Sequence, residues 1–167
     1  MRLLISIVLL AVVACSKSAP TNTTPIKDPV PMVEAEKPSA TVTPATETLA
    51  AYERARALLA ADEIKGLAES ARTLEASATS AKYTAIASSA TKLAAAADLD
   101  AARTAFGDVS REVVTLLAGD KSLAKGQYVF ECPMVKGYRK WVQPSDEMAN
   151  PYMGKKMLAC GGESTWQ

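Results

Sequence analysis

Hydrophobic residues recur at helical spacing through the middle of the chain. Apolar side chains follow a three-four spacing in four successive stretches, and residues that favour helices, such as alanine, lysine and glutamate, fill the positions between them. Short connections between amphipathic helices favour antiparallel neighbours. The pattern therefore predicts a mainly α fold, an up-and-down bundle of four helices over residues 47–119.

Polar residues between the apolar stripes indicate where each helix begins and ends. The first helix is predicted at about residues 47–61, with Asp62 as the N-cap of the second helix and Ser80 as the N-cap of the third. The fourth helix is predicted to open near Asp98 and to end at Gly119, which stands where a C-terminal cap belongs.

The pattern changes after the fourth helix. Residues 127–132 alternate in part and are rich in strand formers, which predicts a short strand that ends at Pro133. Glycines and prolines beyond this point indicate turns. We expect residues 120–167 to form a small irregular lobe with short strands, in one domain with the bundle.

The N-terminus carries a processing pattern. Arg2 precedes an uninterrupted apolar run at residues 3–13, and small residues lead from it to Cys15. This resembles a bacterial lipoprotein signal, in which the cysteine becomes the lipidated first residue, and the run is too short to span a bilayer. We expect a signal peptide at residues 1–14 and lipidation at Cys15, with an ordinary secretory signal as the alternative. We expect the anchored protein to face the periplasm. If the organism is Gram-negative, Ser16 favours the outer membrane, because inner-membrane lipoproteins commonly carry Asp at this position.

Residues 15–46 are low in aromatics and contain six prolines. Such a segment buries too little apolar surface to offset its ordering entropy. We interpret it as a disordered, semi-extended tether between the membrane and the bundle.

Charge and composition exclude several classes of function. A net charge of +1 gives no broad basic field, so nucleic acid is not an expected partner. The chain has no histidine, which removes the commonest general base and the commonest metal ligand. With no glycine-rich phosphate loop or paired-carboxylate framework either, we expect no enzyme.

The predicted lobe carries the candidate chemistry in four sulfur-bearing side chains, Cys132, Met134, Met157 and Cys160. If an extended chain continues through the proline, Cys132 and Met134 face one side, and a helical turn places Met157 and Cys160 on one face. Thiolates and thioethers are soft donors that suit Cu(I) or Ag(I) better than Mg or Ca. Met153 is a substitute ligand in this interpretation.

A disulfide is the competing interpretation of the same cysteines. Lipidation of Cys15 leaves an even pair, and paired cysteines in an oxidising envelope are commonly bridged. Such a bridge would close a loop of nearly thirty residues and stabilise the lobe by roughly 3 kcal/mol. Spacing alone leaves both interpretations open.

Separated residues of the lobe resemble the signature of a known family. Cys132-Pro133-Met134, Trp141, Asn150-Pro151-Tyr152, Gly154, Met157 and Cys160-Gly161 occur in this order. Together they resemble a periplasmic domain of unknown function that is often appended to the membrane-fusion adaptors of copper/silver-type heavy-metal efflux systems. A weaker part of the pattern is matched in the fourth predicted helix by Asp100, Arg103, Phe106 and Ser110.

The resemblance covers about residues 49–161 and implies a small binding or adaptor domain in heavy-metal handling. Its sulfur motif is matched by Cys132, Met134, Met157 and Cys160. The chain lacks the hairpin and barrel regions of the adaptors, so a pump subunit is not indicated. The absence of histidine favours Cu(I), or no metal, over Cu(II).

Our leading hypothesis is a lipid-anchored envelope protein that sequesters or relays Cu(I) or Ag(I), with heavy-metal efflux components as partners. The alternative is a non-catalytic structural or interaction lipoprotein with a Cys132–Cys160 disulfide. The two hypotheses use the same thiols in different chemical states. An intermediate case is a redox-gated site that binds metal only when the bridge is reduced, and the sequence leaves all three open.

Overall fold

The computed structural model describes residues 42–167, and the predicted signal peptide, Cys15 and most of the predicted tether lie outside them. It confirms a mainly α fold of four helices followed by a small antiparallel sheet. The helices are α1 (Pro44–Ala60), α2 (Leu67–Ser80), α3 (Thr84–Ala94) and α4 (Leu99–Gly119).

The first helix begins inside the segment assigned to the tether. Thr43 is the N-cap of α1, and its side chain accepts a hydrogen bond from the Thr46 N–H at 3.2 Å. The Thr46 hydroxyl oxygen accepts the Thr43 N–H in return at 2.9 Å, which completes a capping box. Pro44 suits the first helical turn because an N–H there has no intrahelical acceptor. The predicted boundary at residue 46 is therefore wrong by three residues.

Two predicted N-caps are also wrong. Asp62 adopts a left-handed conformation (φ 56°), and α2 begins five residues later, at Leu67, with Gly66 as its N-cap. The Asp62 carboxylate is paired with Arg103 instead of capping a helix. Ser80 is the last residue of α2, and its hydroxyl donates to the Ala76 carbonyl at 3.0 Å. A serine or aspartate side chain caps a helix only where no other hydrogen-bond partner competes for its oxygen.

The fourth helix has the predicted N-cap, and its C-cap is Asp120, one residue beyond the predicted Gly119. The Asp98 side chain accepts the Ala101 N–H at 2.8 Å and caps α4. Gly119 is the last helical residue, and Asp120 continues in an extended conformation.

The core is built from the predicted apolar stripes. α1 packs on α2, α2 on α3, and α3 on α4. Alanines at facing positions let the helices approach closely, and leucines, valines and aromatic residues fill the remaining space. The largest fully buried side chains are those of Trp141, Tyr52, Phe106, Leu59, Leu67, Leu74, Leu93 and Leu117.

The lobe contains three strands and one short helix. The strands are β1 (Tyr128–Glu131), β2 (Lys140–Gln143) and β3 (Gly162–Glu163), in the antiparallel order β2-β1-β3. A 3₁₀ helix, η1 (Gly154–Met157), precedes β3. The predicted strand at residues 127–132 corresponds to β1.

The outer edge of β2 is closed by hydroxyl groups. The Val142 N–H donates to the Tyr52 hydroxyl at 3.1 Å. The Lys140 carbonyl accepts from the hydroxyls of Ser110 and Tyr152, at 2.9 Å and 2.8 Å. Tyr52 and Ser110 also share a hydrogen bond of 2.7 Å. Because Tyr52 belongs to α1 and Ser110 to α4, these hydroxyls fasten the sheet to the bundle and pair two backbone groups of its outer edge.

Within residues 42–167, no helix has the length and apolarity that crossing a membrane requires.

Candidate functional site

Three of the four predicted sulfur ligands lie together at one end of the sheet. The Cys132 and Cys160 Sγ atoms are 3.0 Å apart, and both residues are free cysteines. The Cys160 thiol also contacts the Met134 Sδ atom at 3.7 Å. We call these three residues the sulfur cluster.

Cys132 is fixed by the strand that precedes it. It follows β1 directly, and its N–H donates to the Arg139 carbonyl at 3.1 Å, which extends the β1–β2 ladder by one pair. Its side chain is fully buried. The thiol therefore projects from a backbone that the sheet holds in place.

The chain turns at Pro133 instead of continuing in an extended conformation. The Val135 N–H donates to the Cys132 carbonyl at 3.3 Å, which closes a turn with proline in its second position. The expectation that Cys132 and Met134 face one side along an extended chain is therefore wrong. Met134 reaches the cluster from outside, with 60 % of its surface exposed.

Asn150 positions the other half of the cluster. It is fully buried, and its Nδ2 donates to the Cys160 carbonyl at 2.6 Å. Its Oδ1 accepts the N–H groups of Tyr152 at 2.8 Å and Met153 at 3.1 Å. One side chain thus holds the loop before η1 and the backbone of Cys160 together. In the sequence, Asn150 carries only a turn signal and the family resemblance, because no local pattern indicates that its amide reaches Cys160, ten residues along the chain.

A glycine next to Cys160 allows the close approach of two backbone segments. Gly161 has φ 139°, and a Cβ atom there would lie 2.7 Å from the Glu131 carbonyl oxygen. The same atom would crowd Trp141 and Met148, each at 3.2 Å. A side chain at this position would therefore push Cys160 away from β1 and from Cys132.

The two other methionines named from the sequence occupy different places. Met157 ends η1 and is half-buried, and its carbonyl accepts the Cys160 N–H at 3.0 Å. Within residues 42–167, its sulfur makes no hydrogen bond with either thiol. Met153 lines a cleft of about 510 Å³ between α4 and the lobe, and Met134 lines the same cleft.

The hydrogen bond with Cys132 disfavours ionisation of the Cys160 thiol. The pKa of the Cys160 thiol is raised, first by its hydrogen bond with Cys132 and then by desolvation and by the charge that Cys132 carries when ionised. Two thiolates at this distance repel each other. A cation between them would remove that penalty.

The donor atoms at this site are sulfurs. In the described part of the chain, no group of three or more histidine, cysteine, aspartate or glutamate residues could hold a metal ion. A ligand set at the cluster therefore consists of thiols and thioethers, the set that hard cations such as Mg²⁺ and Ca²⁺ avoid.

The α4 residues singled out by the family resemblance lie on the face of the helix that meets the lobe. Arg103 Nε donates to the Pro151 carbonyl at 3.0 Å, and the Phe106 ring lies 5.7 Å from the Tyr152 ring, edge to face. Asp100 lines the cleft, while Ser110 belongs to the hydroxyl contact at β2. Arg103 and Phe106 therefore support the loop that holds Cys160.

Comparison of the chain with family models, with curated proteins and with solved structures gives no match. The family resemblance therefore stays a prediction.

Proposed function

We propose that this protein is a lipid-anchored envelope protein whose lobe binds Cu(I) or Ag(I) for sequestration or relay in metal homeostasis or efflux. The observation that supports this proposal best is the sulfur cluster, in which the Cys160 thiol lies 3.0 Å from Cys132 Sγ and 3.7 Å from Met134 Sδ. Thiolate and thioether ligands suit soft ions such as Cu(I) better than hard cations.

Loading requires a small separation of the two thiols. The residues that would hold the ion are Cys132, Cys160 and Met134, and the two thiols would have to move apart from their 3.0 Å distance for one ion to bind between them. Cys132 is fixed in the ladder, whereas Cys160 follows a short turn and is only partly buried. We expect the movement to occur at Cys160.

Met134 gives the cluster a weak and accessible ligand. Its thioether is neutral and exposed to 60 %, so an incoming ion contacts it before the buried thiol of Cys132. A neutral outer ligand lets an ion pass to or from a partner one bond at a time. Met157 and Met153 are further thioethers close in the chain to Cys160. Replacing each of them with leucine tests whether it contributes to Cu(I) binding.

Binding also releases protons. Thiols bind metals as thiolates, and the pKa of Cys160 is raised by its neighbour, so the ion has to displace a proton from this thiol. The apparent affinity for Cu(I) should therefore increase with pH.

An anaerobic competition titration tests the proposal. The full-length chain carrying Cys15→Ser, which leaves Cys132 and Cys160 as its only thiols, is reduced and titrated with Cu(I) against a chromophoric chelator. We expect one ion per chain, and no retention by the variant carrying Cys132→Ser and Cys160→Ser. Equal retention by both proteins would eliminate a thiolate site.

Two thioether variants form a matched pair in the same titration. Met134→Leu and Met157→Leu keep side-chain volume and remove one sulfur each. Because Met134 contacts the Cys160 thiol at 3.7 Å, we expect its replacement to weaken Cu(I) binding more than replacement of Met157. If replacement of Met157 weakens Cu(I) binding more than replacement of Met134, the third ligand is Met157 at the end of η1 and not Met134.

The anchor and the location form a separate part of the proposal. Cys15 is proposed as the lipidated residue. Heavy-metal efflux components are proposed as partners of the anchored protein. Metabolic labelling with a fatty acid, followed by membrane fractionation, checks this part. We expect the label and the membrane association to disappear in a Cys15→Ser variant.

The 3.0 Å distance also favours a second candidate function, a structural or interaction lipoprotein whose cysteines form a disulfide. Mass spectrometry of the protein from the envelope distinguishes the two. A persistent loss of two protons between Cys132 and Cys160, without metal, would favour the structural role.

A further inference from the structure

The two thiols of the sulfur cluster differ in access. Cys132 is fully buried behind β1 and the turn at Pro133. Cys160 is partly exposed, and its thiol contacts the thioether of Met134, which is itself exposed to 60 %. A reagent in solution therefore reaches the Cys160 sulfur after one side-chain movement, whereas the Cys132 sulfur lies behind the strand.

We propose that Cys160 is the site at which external disulfides of the glutathione type modify this protein, and that Cys132 resolves the mixed disulfide. The pair then closes into an intramolecular disulfide in two exchange steps.

Each step exchanges one sulfur–sulfur bond for another. In the first, the Cys160 thiol loses its proton and the resulting thiolate attacks the external disulfide, whose S–S bond breaks as a Cys160–glutathione bond forms; the departing glutathione thiolate takes up a proton. In the second, the Cys132 sulfur attacks the Cys160 sulfur, and the second glutathione leaves as a thiol with the Cys132 proton. The external disulfide gains the two electrons that the two cysteines lose.

The geometry favours the second step. The Cys132 and Cys160 sulfurs are already 3.0 Å apart, within the range of reacting atoms in a near-attack arrangement. Both backbones are held, Cys132 by Arg139 and Cys160 by Asn150. Resolution is thus intramolecular and should outrun the return of the leaving thiol, so the mixed disulfide does not accumulate.

Closure has a consequence that rests on the proposed function. A disulfide removes both thiolate ligands together and leaves only thioethers near the site. Oxidation by an external disulfide would then release a bound Cu(I) or Ag(I) ion.

Single-cysteine variants test the order of attack in the absence of metal. The full-length chain carrying Cys15→Ser is reduced, mixed with glutathione disulfide, quenched with acid and followed by intact mass. With Cys132→Ser added, we expect a stable glutathione adduct on Cys160. With Cys160→Ser added, the buried Cys132 should react at least about tenfold more slowly. Equal rates, or faster modification of Cys132, would overturn the assignment.

A measurement on the unaltered pair guards against a folding defect in either variant. Substoichiometric alkylation of the reduced protein, followed by peptide mass mapping, should label Cys160 before Cys132. With glutathione disulfide the same protein should lose two protons without an adduct, and an adduct that persists would contradict resolution by Cys132.

A final arm separates this proposal from the proposed function. Cu(I)-loaded protein is treated with glutathione disulfide beside a chromophoric chelator, and release should follow disulfide formation. If exchange occurs at Cys160 but the chain never retains Cu(I), the metal proposal fails and the modification site stands. If the chain retains Cu(I) but Cys160 does not react with glutathione disulfide, the metal proposal stands and the modification site fails.

Discussion

Replacing Tyr52 with phenylalanine removes one oxygen atom from the contact that joins the lobe to the bundle. The Tyr52 hydroxyl accepts the Val142 N–H at 3.1 Å and shares a 2.7 Å hydrogen bond with Ser110. Burial raises the pKa of this hydroxyl well above its ordinary value, so it stays neutral and acts only as a hydrogen-bond partner. Phenylalanine keeps the ring and its stacking on Phe106.

The expected cost follows from the groups that lose a partner. Ser110 keeps its bond to the Lys140 carbonyl at 2.9 Å, but the Val142 N–H is left unpaired at a buried position. Leaving one buried donor unsatisfied costs about 1–3 kcal/mol. For the 126 residues 42–167, an unfolding entropy of about 2.1 cal/mol/K per residue converts this into a fall in Tm of about 4–11 °C.

Urea and thermal unfolding, followed by circular dichroism, measure the effect. Tyr128→Phe is the matched control, because Tyr128 is exposed to 37 % and its replacement should change the free energy of unfolding by less than about 0.5 kcal/mol. If Tyr52→Phe is as mild as the control, the hydroxyl contact does not fasten the lobe and our reasoning about the β2 edge is wrong.

Three further changes test the supports of the sulfur cluster. Gly154→Ala places a Cβ in a left-handed conformation (φ 60°) and against the Asp62 carboxylate, so we expect a loss of about 1–3 kcal/mol in urea unfolding, and an unchanged midpoint would contradict it. Hydrogen bonding by Arg103 lowers the pKa of the Asp62 carboxyl group. The stabilisation from this carboxylate is therefore complete above its unfolded pKa near 3.8 and is lost as the pH falls through the lower, folded pKa. Asp62→Asn should remove this dependence and flatten the acid side of a profile of Tm against pH. Gly161→Ala drives a Cβ against the Glu131 carbonyl. It should slow disulfide formation by glutathione disulfide between Cys132 and Cys160 markedly while lowering Tm only slightly, and an unchanged rate would contradict it.

Much of the helical architecture could be predicted because it depends on local periodicity. The stripes of α3 and α4 bury Ile86, Leu93, Phe106 and Val113 as their spacing indicates. Asp98 caps α4 because its oxygen has no competing partner and the Ala101 N–H lies within its reach.

The two wrong N-cap predictions, at Asp62 and Ser80, failed because the local sequence does not show which hydrogen-bond partner a polar side chain meets in the folded protein. Asp62 looks like a cap in the sequence, but Arg103, 41 residues away, binds its carboxylate. Ser80 bonds to the carbonyl four residues before it and stays inside α2. Both outcomes depend on which partner a polar atom meets, and for Asp62 only the packing of α4 beside the end of α1 supplies it.

The sequence by itself determined the helical stripes, the short strand after the bundle and the types of donor atom that the lobe offers. Tertiary structure decided which sulfurs meet. Cys132 and Cys160 are 28 residues apart, and their contact depends on the turn at Pro133, the amide of Asn150 and the missing side chain at Gly161. Residue type sets what a side chain can bind, but the distance between two sulfurs is set by backbone segments that meet only when the chain has folded.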